Sequence, residues 1–219
     1  MIYGFFGSIP GCPHQRGNQA LRGNGKTMSL TFVGYVDHCN GREVISNYQT
    51  SFSELRPTEE IASMVQDENL RNVTILLSEL QLYLNSLGTN STVLKNFIGS
   101  VVGQSRKRNV DIHYDTQRYG DIHPRMRVQT DRAFLPRKYH LNDEPCSIDR
   151  CPEPHIIRVY QHDPFEKEPV FVLDASKFGG LYDSNEIEAT PKQPENSPGR
   201  RAGLLAPEVR VKRKPRTKE

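Results

Sequence analysis

The chain holds only four cysteines in 219 residues, has no long apolar run, and is modest in hydrophobic content. Four cysteines in a chain this long do not suggest a disulfide framework, so a reduced, intracellular setting is expected. No stretch approaches the roughly eighteen apolar residues that cross a bilayer. The start lacks a basic region followed by a secretory core, and the expectation is a soluble protein with no membrane partner. A hydrophobic content of 35% still supports one sizeable core, and the low mean hydropathy fits a domain with long loops.

What stands out instead is Gly23-Asn24-Gly25-Lys26-Thr27-Met28. Glycines let backbone N–H groups turn inward around phosphate oxygens, a lysine ammonium reaches the β- and γ-phosphates, and a threonine hydroxyl holds Mg²⁺. The residues that follow predict a helix over 27–36, stopped by Asn40-Gly41, whose positive end faces the anion. These six residues are the candidate nucleotide site, with ATP and Mg²⁺ as its cofactors. The full pattern wants its loop directly after a buried strand. The only apolar run upstream is Ile2-Tyr3-Gly4-Phe5-Phe6, so about fifteen extra residues separate that strand from Arg22-Gly23. A chance Gly-Lys-Thr in a Gly-rich loop is the competing reading.

Downstream, Arg71 to Gln81 is a continuous apolar run ending in polar residues, the form of a parallel strand buried on both faces with its functional edge at the C-terminal end. Glu79 is the candidate catalytic base. Ser78 stands where a carboxylate beside Mg²⁺ is expected; its hydroxyl can hydrogen-bond a metal-bound water but brings no charge. An ordinary core strand is the alternative. A helical stretch with Leu94, Phe97, Ile98 and Val101 on one face comes next. After it, Asn109 to Gln117 reads as a strand whose terminal Gln117 can reach the γ-phosphate or its water.

The order of these segments, with Val44-Ile45-Ser46-Asn47-Tyr48 as a second strand, Ser105-Arg106-Lys107-Arg108 ahead of the third motif, and Leu181-Tyr182-Asp183-Ser184-Asn185-Glu186 near the end, resembles the FtsK/HerA superfamily of DNA-pumping ATPases. The similarity is greatest to small viral genome-packaging ATPases and the related zonula-occludens-toxin-like phage proteins, and it covers about residues 1–188. It implies an α/β, RecA-like P-loop NTPase core with a mostly parallel sheet. It implies ATP hydrolysis coupled to translocation of double-stranded DNA by a homo-oligomeric ring, usually a hexamer, working with capsid proteins in the host cytoplasm or the virion. The resemblance also implies an arginine supplied by the next subunit to offset transition-state charge. Arg132 is the first candidate and Arg106 the second, with Arg125 and Arg127 behind them. The extra loop residues and Ser78 carry an alternative, a nucleotide-binding assembly factor that does not hydrolyse. A toxin-like morphogenesis or secretion ATPase is a further alternative, disfavoured by the missing membrane anchor.

Two segments lie outside that scheme. The domain at 1–188 is followed by a tail over 189–219, rich in Pro, Gly and basic residues, whose composition predicts disorder. Residues 192–219 hold nine Lys/Arg against three Glu, a net of +6 in a chain of net +3. That suits salt-sensitive contact with nucleic-acid phosphates or simple solubilisation. Ile156 to Tyr160 and Val170 to Asp174 read as antiparallel additions to the sheet. Just ahead of them, His140, Cys146, Cys151 and His155 place four zinc-type ligands within sixteen residues. Their Cys-x4-Cys-x3-His spacing is wider than most finger knuckles, so a plain loop is the expected outcome.

Overall fold

The computed structural model describes residues 1–14, 23–67, 69–84, 97, 99, 107–148, 151–163 and 165–182. The tail at 189–219, the boundary at 188, Arg106, Leu94, Ile98, Val101 and Asp183 to Glu186 lie outside these residues.

Eight strands form one sheet: β1 Ile2–Ser8, β2 Glu43–Ser46, β3 Glu54–Leu55, β4 Val73–Leu77, β5 Asp111–Arg118, β6 Arg132–His140, β7 His155–Gln161 and β8 Phe171–Asp174. Their order is β3-β2-β4-β5-β1-β6-β7-β8. The first six are parallel to one another, while β7 runs antiparallel to both β6 and β8. This is the mixed α/β fold expected, a mostly parallel sheet with antiparallel additions at one edge.

Period-two alternation divides the core between the two faces. Phe5, Val44, Leu76 and Ile157 pack with Leu30 of the first helix, α1 (Lys26–Cys39). Their chain neighbours Phe6, Ile45, Ile75 and Leu77 join Ile112, Leu135 and the helix α2 (Thr58–Met64) on the other side. All five residues of β4 are buried, as a strand covered on both faces requires.

Placing β5 between β1 and β4 brings three C-terminal strand ends together: Ser8 pairs with Arg118, and Leu77 with Tyr114. The start of α1 faces that edge. Its end comes at Asn40, where Gly41 adopts φ +81, a left-handed stop that glycine tolerates without strain.

The residues read as extra between β1 and the phosphate loop begin inside the core. Ile9 and Cys12 are buried against the face that carries α2, and the His14 ring stacks on Tyr160 with centroids 4.5 Å apart. Residues 15–22 lie outside the described set.

α1 sits close to the sheet at Gly34, where an added Cβ would stand 2.4 Å from Leu76 Cδ1. Leu76 is itself fully buried, so it has little room to yield. Gly34→Val is expected to destabilise the protein by about 1–3 kcal/mol, read from the urea midpoint; an unchanged midpoint would mean that this contact is looser than described.

Candidate nucleotide site

Gly23 and Gly25 both take left-handed backbone, φ +68 and +82, which a β-carbon would disfavour. At Gly25 space forbids a side chain as well, because a Cβ would meet three carbons of Ile157 at 2.8–2.9 Å. The turn thus lies against β7 and delivers Lys26 and Thr27 as the first residues of α1. Asn24 and Lys26 are buried, and Met28 packs into the α1-side core.

Two hydrogen-bonded chains run from these residues to the strand ends. In the first, Lys26 Nζ donates to Gln117 Oε1 at 3.2 Å, and Gln117 Nε2 donates to Glu79 Oε1 at 2.6 Å. The glutamine joins the lysine to the candidate base. Glu79 itself has φ +47, a strained backbone of a kind that concentrates at functional sites.

The second chain centres on a residue to which the sequence reading gave no role. Thr27 Oγ1 donates to Asp115 Oδ2 at 2.7 Å, and the Glu79 backbone N–H donates to Asp115 Oδ1 at 2.8 Å. The Ser78 hydroxyl lies 3.3–3.4 Å from both carboxylate oxygens. Asp115, one strand over, thus places a carboxylate beside Ser78. Its signal in the sequence was a charged residue in mid-strand: Asp is rarely fully buried unless paired, and Asp115 has no exposure at all.

Burial pushes the Asp115 carboxyl up to about 6, opposed by the Lys26 ammonium and reinforced by the Glu79 charge. Tyr182 stands within electrostatic reach of the same carboxylate. Its hydroxyl is pushed up to about 12, first by burial and then by the Asp115 charge, and its backbone bridges to Thr50.

Thr27, Lys26, Ser78, Glu79 and Gln117 are therefore assembled in one place. Arg132 is not among them: it is exposed and pairs with Tyr3, at the end of the sheet away from the loop. Arg118, also exposed, stands at the loop end. Arg127 lies over the Tyr119 ring. A fully buried guanidinium, Arg137, donates to the Gly7 carbonyl at 3.1 Å where β1 ends, and nothing in the sequence pattern marked it. His140, Cys146, Cys151 and His155 form a separate cluster at the β6–β7 end, with ligand atoms all within 4.8 Å of one another. The wide spacing argued for a plain loop, but strand pairing overrides linear spacing and brings the four together.

No protein-family model matches the chain, and no curated protein does. Among solved structures it is similar to the N-terminal domain of zonular occludens toxin from Neisseria meningitidis, at 13% identity and TM-score 0.50, over 83% of this chain and 98% of that one. The genome-packaging NTPase B204 of Sulfolobus turreted icosahedral virus 2, in complex with ATP-gammaS, matches at 9% identity and TM-score 0.46, over 75% of this chain and 98% of that one. At these identities the likeness is one of fold.

Because the Asp115 value in the folded chain lies above the ordinary 3.8, folding tightens its hold on the proton. The group contributes no cost below about pH 4; stability falls as pH rises from about 4 to 6, and above that an ionised Asp115 costs about 3 kcal/mol. Asp115→Asn is expected to gain about 1–3 kcal/mol relative to the parent between pH 4.5 and 7.5, measured by urea unfolding without nucleotide. A difference between the two proteins that does not change with pH would contradict the buried charge.

Proposed function

We propose that this protein is an ATPase that binds ATP with Mg²⁺ at the start of α1 and couples hydrolysis to movement of double-stranded DNA, in the manner of viral genome-packaging motors. The observation that carries the reading is the convergence of Lys26, Thr27, Glu79, Asp115 and Gln117 at one sheet edge.

Their chemistry suits the task. The Lys26 ammonium and the N–H groups opening α1 hold the β- and γ-phosphates. Bound Mg²⁺ supplies charge neutralisation on the phosphates. Thr27 would offer the ion an oxygen, oriented by the hydrogen bond that its hydroxyl donates to Asp115, as a carboxylate in the outer shell of a metal site does. The Ser78 hydroxyl would be placed to hydrogen-bond a water bound to that ion. The Glu79 carboxylate orients the attacking water, and Gln117, bonded to both Glu79 and Lys26, ties the position of the base to that of the phosphate-binding lysine. With Asp115 in place, Ser78 is no longer a reason to favour an assembly factor that binds without hydrolysing.

The DNA and ring components rest on the sequence resemblance and on the +6 charge of residues 192–219. A homo-oligomeric ring, a hexamer by that resemblance, would work with capsid proteins in the host cytoplasm or the virion. Since Arg132 stands away from its own loop, any part it has in hydrolysis would be at a neighbouring subunit's site, and Arg118 is the arginine to compare with it. Among the described residues no helix is long and apolar enough to cross a membrane.

Lys26→Ala is expected to abolish ATP binding by calorimetry, and Glu79→Gln to keep binding while stopping turnover. Unchanged affinity in the first variant would sink the ATPase reading, and a parent protein that binds ATP but shows no turnover with DNA present would favour the non-hydrolysing factor. Turnover is expected to respond to DNA and to lose that response as salt rises. Mixing Arg132→Ala with Glu79→Gln subunits should restore part of the rate; a mixed oligomer without rescue directs the same test to Arg118.

A carboxylate swap tests the role of Asp115. Ser78→Asp alone sets a second carboxylate against a buried one and is expected to cut turnover at least tenfold, because like charges at that separation cannot both ionise freely. Combining it with Asp115→Ser moves the charge to the tip of β4 and should recover part of the loss, read as turnover against Mg²⁺ concentration. A double variant no better than either single one would show that the position of Asp115 matters beyond its charge.

A further inference from the structure

The His/Cys cluster at the β6–β7 end is built by strand register. β6 and β7 pair antiparallel, with His140 opposite His155 and Lys138 opposite Ile157. Beyond the short stretch paired with β1, the free edge of β6 is taken by its own continuation. The chain turns at Asp143, φ +69, and comes back with His140 N–H donating to Glu144 O at 2.9 Å and Cys146 N–H donating to Lys138 O at 2.9 Å. Tyr139 and Pro145 form the bridge between them. Residues directly opposite in an antiparallel ladder share a face, so His140, Cys146 and His155 all lie on the side where Ile157 packs against Gly25. Cys151 arrives from the connection that follows.

The donors suit one ion. Cys146 and His155 are buried, His140 and Cys151 half-buried, and both cysteines are free thiols. His155 Nε2 is buried without a hydrogen-bond partner. His140 Nδ1 is likewise unsatisfied, since the Glu153 carboxylate 2.8 Å away stands within ion-pair range but off hydrogen-bond alignment. Unsatisfied buried nitrogens are costly, and a cation between them and two sulfurs removes that cost. A tetrahedral zinc with bonds of about 2.0–2.3 Å sets its donors roughly 3.3–3.8 Å apart, a contraction of about an ångström from the outer limit of 4.8 Å. Two thiolates with two imidazoles select zinc over hard, oxygen-seeking cations. Four protein ligands leave no open position, which marks a structural site.

We propose that His140, Cys146, Cys151 and His155 bind one structural Zn²⁺, which locks the 141–154 connection onto the start of β7. Two residues further along, β7 presents Ile157 to the loop that opens α1. The metal therefore braces the strand behind the phosphate loop, independently of whether that loop hydrolyses nucleotide.

The test uses the full chain purified under reductant. Elemental analysis is expected to give one zinc per chain, retained through gel filtration, and falling to near zero in Cys146→Ser and Cys151→Ser, while Cys39→Ser keeps it. Cobalt loaded in place of zinc should give the visible absorption of a tetrahedral site with a thiolate-to-metal band. Should the cysteine variants fail to fold, the parent chain decides. Zinc is expected to shield Cys146 and Cys151 from alkylation, read by peptide mass spectrometry, and a chelator to expose them. Thiols alkylated equally with and without zinc, or a parent chain that retains neither metal after reduction and loading, would overturn the proposal. So would undiminished metal in the double cysteine variant, or a Cys146–Cys151 disulfide in fresh protein.

Discussion

The candidate site is organised around the carboxylate of Asp115. It has no access to solvent and accepts hydrogen bonds from the first helix and from the turn after β4. A buried charge persists only where donors surround it, so Asp115 binds the start of α1, the tip of β4 and its own strand into one rigid edge. The same burial that destabilises it as an anion makes it sensitive to a cation: a divalent ion nearby favours the ionised form. Stability is thereby exchanged for a site ready to receive charge, the usual relation between function and strain.

That edge exists because of strand order. With β5 inserted between β1 and β4, residues separated by about a hundred positions in the chain come within hydrogen-bond reach. The αL turn at Glu79 and the αL glycine before Lys26 aim their side chains into the same space. The antiparallel edge adds a second layer of support, because β7 presses Ile157 against Gly25 and carries the cysteine–histidine cluster at its start.

Much of this was legible in the sequence. The readings at 2–6 and 109–117 located β1 and β5 to within two residues, and the apolar run at 71–81 located β4 while running four residues past its end, because strands buried on both faces are rich in apolar residues. Glycines around Lys26 located the loop, because few other residues take its backbone. Lys26, Thr27, Glu79 and Gln117 could be named in advance for the same reason: each lies at a strand end or helix start, which local pattern reveals. The extra residues after Ser8 were less readable. Their first part packs as core, and two buried side chains, Ile9 and Cys12, are too short a signal to stand out among turn residues.

Sequence by itself determined the α/β alternation, the glycine turn that opens α1, and which strand tips carry polar groups, since each depends on residues adjacent in the chain. Tertiary structure alone decided which carboxylate faces Thr27. Position 78 holds a serine, and the charge comes from Asp115 on the neighbouring strand, a substitution visible only once β4 and β5 are paired in register. The four cysteine and histidine side chains follow the same rule. Their linear spacing argued against a metal, whereas antiparallel pairing sets them on one face within 4.8 Å, because register between strands, and not distance along the chain, fixes which side chains meet.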